Sequence, residues 1–404
     1  MRLIPRGHGG AGIPRGIWAL GLVSMCMDLS SELIHSLLPL YMAVGLGAST
    51  LTIGIIEGIA EATAMVVKVF SGVLSDRFRR RKPLVVLGYG LAALTKPIFP
   101  LAPTLGWIVA ARFADRVGKG IRGAPRDALI ADLAPPALRG ASFGLRQALD
   151  TVGGAGGPLL AIGAMAYFAG DFQAAFWVAV VPAVVALVLL IAGVDEPART
   201  TPQPSEAAPG PDWSAARRLG RRYAIVVAIA AVLTLARFSE AFLILRATDV
   251  GLPVAAAPWV MVIVSLVYAA TAYPAGSAAD RGHAPRLLSA GIVALIAADL
   301  VLANAGEGAM LFAGAALWGL HMGLTQGLLA ALVAAAAPAD LRGTAFGVFN
   351  LVCGAALLIA SVLAGALWDG FGPALTFYAG AAFALVAWVG LARYGQLATR
   401  LGKT

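Results

Sequence analysis

Two short stretches limit what this chain can fold into. Gly72-Val-Leu-Ser-Asp76-Arg77, followed by the basic run Arg79 to Lys82, sits between two long apolar runs. Its pattern returns 204 positions later as Gly276-Ser-Ala-Ala-Asp280-Arg281. A second pair keeps the period: Leu138-Arg139-Gly140 with Phe143-Gly144 recurs as Leu341-Arg342-Gly343 with Phe346-Gly347, 203 residues on. One unit is therefore used twice, and each copy is punctuated by basic turns.

Composition says what kind of unit it is. Of 404 residues, 59% are hydrophobic and 13% charged, with a mean hydropathy of +0.83. A soluble globule carries about twice that share of charge. A spanning helix needs about 20 apolar residues, and the chain has room for twelve such helices. The expected fold class is an all-α integral membrane protein whose partner surface is the lipid bilayer. Glycines number 48, and small residues let helices approach in lipid. The net charge of +9 could suit nucleic acid. However, the basic residues gather at alternate helix ends, as the positive-inside rule requires, so no nucleic-acid partner is expected. Cys26 and Cys353 lie within apolar runs and predict free thiols. Four histidines and two distant cysteines predict no metal cage and no cofactor. H-E-x-x-H, G-x-S-x-G and the phosphate-binding G-x-x-x-x-G-K-[ST] are absent, which argues against an enzyme.

The order along the chain follows. Residues 1–16 read as a cytoplasmic N-terminal arm, and 17–193 as a six-helix bundle. A proline-rich polar linker at 194–222 leads to a second bundle at 223–393 and a tail at 394–404. Arginines and Lys82 fall on one predicted side, which places both termini in the cytoplasm. Helix 3 is expected at 83–102, helix 7 at 223–246 and helix 9 at 287–305.

Twelve helices as six plus six, a central linker, and G-x-x-x-D-R in both the 2–3 and 8–9 turns resemble the major facilitator superfamily. Two more of its motifs appear. Arg116, Gly120 and Ala124 in helix 4 resemble R-x-x-x-G-x-x-x-A, whose arginine is linked to proton coupling. Gly153, Gly157 and Pro158 in helix 5 resemble the G-x-x-x-G-P motif of drug/proton antiporters, with Ala161-Ile162 where a Gly-Gly pair usually follows. The resemblance implies two six-helix bundles related by a pseudo-twofold axis around a central cavity lined by helices 1, 4, 7 and 10. It further implies secondary active transport by alternating access, with proton-coupled export expected and import or exchange of an anionic solute as the alternative. The implied partners are a small-molecule substrate and protons. The implied setting is the plasma membrane, bacterial inner membrane, and the implied state is a monomer.

Ionisable groups at membrane depth are costly and usually face a cavity or a partner. Asp28, Glu32 and His35 share one face of helix 1 by their spacing, and Glu57, Glu61 and Lys68 form a stripe on helix 2. The proton-coupling candidates are Glu32, Glu61, Asp28, Asp115, Arg116 and Glu240, with Glu32 first. Ser239-Glu240 mirrors Ser31-Glu32 at nearly the repeat spacing. The cavity candidates are His35, Glu57, Arg112, Arg237, His321 and Gln326. A fixed ion pair of Glu32 with Arg112 or Arg116 is the competing reading, and Arg146 with Asp150 reads as structural. Gly72, Asp76, Arg77, Gly276, Asp280 and Arg281 form the expected cytoplasmic gate, the two glycines allowing close helix approach. Trp259, Tyr268, Tyr273 and Trp318 are aromatic candidates for the second half.

Overall fold

Apolar runs of membrane length become helices because lipid offers backbone groups no other partner. The computed structural model describes residues 13–78, 81–196, 217–338 and 341–401, with side chains for all of these except 76–78, 137 and 395–401. The described residues form twelve long helices. The first six are α1 Arg15–Leu40, α2 Thr50–Phe78, α3 Lys82–Thr95, α4 Leu105–Leu133, α5 Arg139–Tyr167 and α6 Phe172–Gly193. Next comes α7, in two pieces, α7a Gly220–Ala236 and α7b Ala241–Asp249. The rest are α8 Trp259–Ala278, α9 Ala284–Ala303, α10 Gly308–Ala336, α11 Arg342–Phe371 and α12 Pro373–Leu401.

Local chemistry sets several boundaries. Asp171 opens α6, its Oδ1 accepting from the amides of Gln173 (2.9 Å) and Ala174 (3.2 Å). That is N-capping by a short acidic side chain. Proline stands in the first turn of α3 and α9, where its missing N–H costs nothing. Gly282, at φ 91°, turns the chain between α8 and α9, a region L side chains rarely adopt.

Packing repeats with the sequence. In the first half α4 lies against α2 and α3, while α1 lies against α5 and α6. In the second, α10 lies against α8 and α9, while α7 lies against α11 and α12. Adding six to each helix number turns one pattern into the other, which is the pseudo-twofold relation. The halves meet through α2 with α11 and α5 with α8, two contacts that the same operation exchanges.

Eight stretches among the described residues are long and apolar enough to cross a membrane, and one of them, Val254–Ala303, holds both α8 and α9. The helices outside these stretches are α2, α4 and α5, whose charged residues, Glu57, Arg112, Asp115, Arg116 and Arg146 among them, lower their hydropathy. Large apolar side chains such as Leu94, Val181, Leu266 and Ile359 are exposed on the outer surface, where lipid would cover them. The chain is a multi-pass membrane protein.

Three expectations change. Helix 3 ends at Thr95 and a separate turn, Ile98–Leu101, follows, because Pro97 cannot continue the hydrogen-bond ladder. Helix 7 is broken at 237–240, although no proline or glycine marks the place. Helix 9 starts three residues earlier than expected.

The two faces differ. At the face away from the chain termini, Asp369 at the end of α11 accepts from the amides of Thr50 (3.1 Å) and Leu51 (2.9 Å) and from the Thr50 hydroxyl. It thereby caps α2 of the other half, supplying negative charge where the first amides are unsatisfied. Below it, Cβ atoms added at Gly365 and Gly54 would stand 2.5 Å from the Thr50 carbonyl oxygen and 2.2 Å from that of Ser361. Backbone-to-backbone packing therefore seals this face. On the terminal face, a Cβ added at Gly72 would be in ordinary contact with Ala124 (3.5 Å), whereas nothing lies within 4 Å of one added at Gly276. The expected close approach at Gly276 is thus absent in this state. Asp280 and Arg281 are exposed, and Arg281 reaches Ser277 of its own turn at 3.2 Å. The side chains of Asp76 and Arg77 lie outside the described residues.

Candidate functional site

The charged residues of α4 recur every three or four positions, so helical geometry stacks them along one face. Arg112, Asp115, Arg116 and Arg122 are all buried, and each level finds its own partners. At the first level, Arg112 Nη2 donates to Glu57 Oε2 (2.6 Å) and to His35 Nδ1 (2.7 Å). Arginine can only donate, so Nδ1 of His35 is the acceptor here. Glu57 is fully buried, and a charge pair in that setting stands only when both members are present.

At the second level, Arg116 Nη1 meets Glu61 Oε1 at 3.1 Å, and its Nε lies 3.5 Å from Asp115 Oδ2. Lys96 Nζ closes the row, donating to Asp115 Oδ1 (2.8 Å) and to the Ser31 hydroxyl (3.0 Å). Toward the terminal face, Arg126 donates to Ser24 (2.9 Å), and Arg146 bridges Asp127 (2.8 Å) and Asp150 (2.7 Å). The reading of Arg146–Asp150 as an ion pair agrees with this geometry. The suggested pairing of Glu32 with Arg112 or Arg116 does not occur: those arginines are taken by Glu57 and Glu61.

This lattice borders a cavity of about 290 Å³ shared by the two halves. The first half contributes Glu32, His35, Glu61, Arg116 and Lys119; the second contributes Arg237, Phe238, Glu240, Trp318 and Gln326. An adjoining lobe of about 320 Å³ shares Glu32, Lys119, Glu240 and Gln326 and adds Asp28, Asp150 and Tyr268. The volume suits a small solute. Glu32, Glu240, Lys119 and Arg237 make no ion pair among the described residues, so two acids and two bases face the space uncommitted.

Glu32 owes its place to the helix 5 motif. A Cβ at Gly157 would fall 2.5 Å from Glu32 Cβ, and one at Gly153 would fall 2.6 Å from the Met25 carbonyl oxygen. These glycines bring α5 against α1 and fix the height of the acid. Across the cavity Glu240 stands on α7, the helix that corresponds to α1, at the break rather than within a continuous helix.

Of the cavity candidates, His35, Arg237 and Gln326 line the space, whereas Arg112 and Glu57 stand behind His35. His321 points away. It is fully buried, and its Nδ1 lies 2.8 Å from the Gly291 carbonyl oxygen, which places it between α10 and α9. Trp318 and Tyr268 face the two lobes, while Trp259 and Tyr273 are exposed on the outer surface. No group of three or more metal-ligating side chains occurs among the described residues.

The sequence reading passed over Lys96, Asp299 and Asp369. The first two satisfy the rule that singled out the others, an ionisable residue within an apolar run. Asp369 carries no such signal, because its partner lies 319 residues away.

Comparison with known proteins agrees with this architecture. Residues 20–246 and 238–400 match the Major Facilitator Superfamily. An uncharacterised MFS-type transporter of Methanocaldococcus jannaschii is 30% identical over 387 residues, covering 93% of this chain and 94% of that protein. The inner membrane transport protein YajR of Escherichia coli is 27% identical, covering 92% and 81%. The multidrug resistance protein MdtH of Photorhabdus laumondii is 29% identical over 155 residues, covering 38% and 37%. Among solved structures, a POT family transporter in complex with 5-aminolevulinic acid has a TM-score of 0.81 at 13% identity, covering 96% of this chain and 98% of that one. Likeness at that identity shows the fold. The whole-length family match and the archaeal relative together place the chain in the Major Facilitator Superfamily of membrane transporters.

Proposed function

We propose that this protein is a proton-coupled antiporter that exports a small solute from the cytoplasm, working as a monomer by alternating access. The observation that carries the reading is the cavity between the halves, with Glu32 and Glu240 facing it from equivalent helices and neither held in an ion pair among the described residues. An acid committed to an arginine stays ionised and has no reason to take up a proton. An uncommitted one beside an aqueous space can exchange it as the space opens to either side.

In this scheme the paired residues Glu57, Arg112, Glu61, Asp115, Arg116 and Lys96 are the frame, and Glu32 and Glu240 carry protons. Arg237, Lys119, His35 and Gln326 contact the solute. The latch of Asp369 on α2 holds the outward side shut, so the described conformation opens toward the cytoplasm. Both termini are cytoplasmic, by the distribution of arginines. The bacterial inner membrane is the setting, in keeping with the name of the E. coli relative. Export draws support from the helix 5 glycines that seat Glu32 and from the partial likeness to MdtH.

The test is transport in proteoliposomes, screened across drugs, siderophores, sugars and carboxylates under an imposed proton gradient. Antiport predicts that the solute moves against the proton flow and that Glu32→Gln abolishes gradient-driven transport while solute exchange at equal pH persists. Uptake driven by an inward-directed proton gradient into right-side-out vesicles overturns antiport. It would favour import of an anionic solute, for which Arg237 and Lys119 supply free positive charge. Unchanged coupling in Glu32→Gln removes that residue from the mechanism.

A further inference from the structure

Asp299 lies outside the site described above. It sits on α9, fully buried, and neither carboxyl oxygen has a hydrogen-bond partner among the described residues. Its pocket is made by an absent side chain. A Cβ added at Gly380 of α12 would stand 2.7 Å from Asp299 Oδ2 and 3.2 Å from Cε1 of Phe238. The carboxyl and the ring therefore flank the same glycine.

The charged and titratable groups of the elements around it are engaged or turned elsewhere. On α10, His321 meets the Gly291 carbonyl two turns away. On α7b, Arg246 pairs with Asp249 and donates to the carbonyls of Leu302 and Ala305. On α12, Tyr378 donates to Asn304 and Arg393 is exposed near the far end. Arg237 and Glu240, at the α7 break, face the cavity.

A carboxylate with neither partner nor water is far more costly to bury than a carboxylic acid of the same shape. A route to water is nearby. Phe238 lies in the non-helical segment between α7a and α7b, lines the cavity on one side and abuts the Gly380 pocket on the other. It is held by edge and tilted ring contacts with Phe242, Trp318 and Phe377 at 5.5–5.6 Å. Phe238, on an irregular segment, thus stands both at the central space and beside the glycine against which Asp299 packs.

We propose that Asp299 is a second proton-binding site, a carboxylic acid in the second half that exchanges its proton with the central cavity past Phe238. On release the O–H bond breaks, the proton passes to cavity water, and the carboxylate left behind requires hydration or the Arg237 guanidinium. Ionisation therefore favours a state in which Phe238 has moved aside and the α7 break has loosened. Protonation favours the packed arrangement described here. The consequence for transport rests on the proton-coupled reading above; the protonation itself does not.

The experiment needs no substrate. Infrared difference spectra of the full chain in lipid vesicles are recorded across a pH series. The expected result is a carbonyl-stretch band of a protonated carboxyl that titrates and is missing in Asp299→Asn. Should that variant not fold, Asp299→Glu is read instead, and the band is expected at a changed frequency. A second readout is amide exchange of residues 237–243, corrected for its intrinsic pH dependence. It should quicken across the same pH range in the parent chain and stay flat in Asp299→Asn. A band that is unchanged in both variants, or exchange at 237–243 with the same pH response in parent and variant, overturns the proposal. A parent chain that shows the band but no proton-driven transport would count against the transport reading alone.

Discussion

In the first half, Arg112, Arg116, Lys96 and Arg146 each hold an acid within about 3 Å, so Glu57, Glu61, Asp115 and Asp150 are committed. In the second half, Arg237, Glu240, His321 and Asp299 form no ion pair with one another, and the interior is filled by Phe238, Phe242, Trp318 and Phe377. The helices follow one plan, yet one bundle is framed by charge and the other by rings. Paired buried charge resists rearrangement, because separating the partners in lipid is expensive. Aromatic contacts are short-ranged and individually weak. On this contrast the first bundle is expected to resist rearrangement more than the broken α7 of the second.

Removing a member of the charge lattice should have the largest effect. Arg112→Met strands Glu57 as a buried, unpaired acid, at a cost of about 3–5 kcal/mol. Thermal unfolding in detergent would read this as a loss of folded protein, and Glu57→Gln on the same background should recover most of it. If Arg112→Met is as stable as the parent, the lattice is not the frame.

A middle effect is expected where backbones touch. Gly365→Ala forces a methyl toward the Thr50 carbonyl, and overpacking of this kind costs about 1–3 kcal/mol. The strain falls on the sealed face, so double electron–electron resonance between labels on α2 and α11 should show the distance there widen. An unchanged distance would mean that the seal lies elsewhere. Asp369→Ala removes the cap from α2 at a cost of about 1 kcal/mol. Cysteines placed near Thr50 should then label roughly five times faster, by the usual factor of ten per 1.4 kcal/mol.

The smallest effect belongs to Glu32→Gln. Because Glu32 has no ion pair among the described residues to lose, stability should change by less than about 0.5 kcal/mol. A large loss would reveal a hidden structural role and blur the contrast between framed and free acids.

Much of this was legible beforehand, and the reasons are specific. Apolar runs of spanning length fix the helices, and the duplicated Gly72 and Gly276 motifs fix the six-plus-six plan. The spacing of Arg112 and Arg116, and of Glu57 and Glu61, predicts charged stripes because helical period alone sets the face. Partner choice was not legible. Lys96 reaches Asp115 across a turn between helices, and Arg112 takes Glu57 of α2 and His35 of α1 rather than Glu32, because the packing brings those two side chains level with it.

Sequence by itself determined the membrane class, the repeat and which helices carry charge, since hydropathy and period act locally along the chain. Only the tertiary structure decided the break in α7. Nothing between Thr234 and Ala241 breaks a helix by propensity. The Ser239 amide turns instead to the Ser361 hydroxyl at 3.2 Å, and Phe238 seats among rings from α10 and α12. The same is true of the unpaired state of Asp299 and of the Asp369 cap, because each depends on residues brought together from distant parts of the chain.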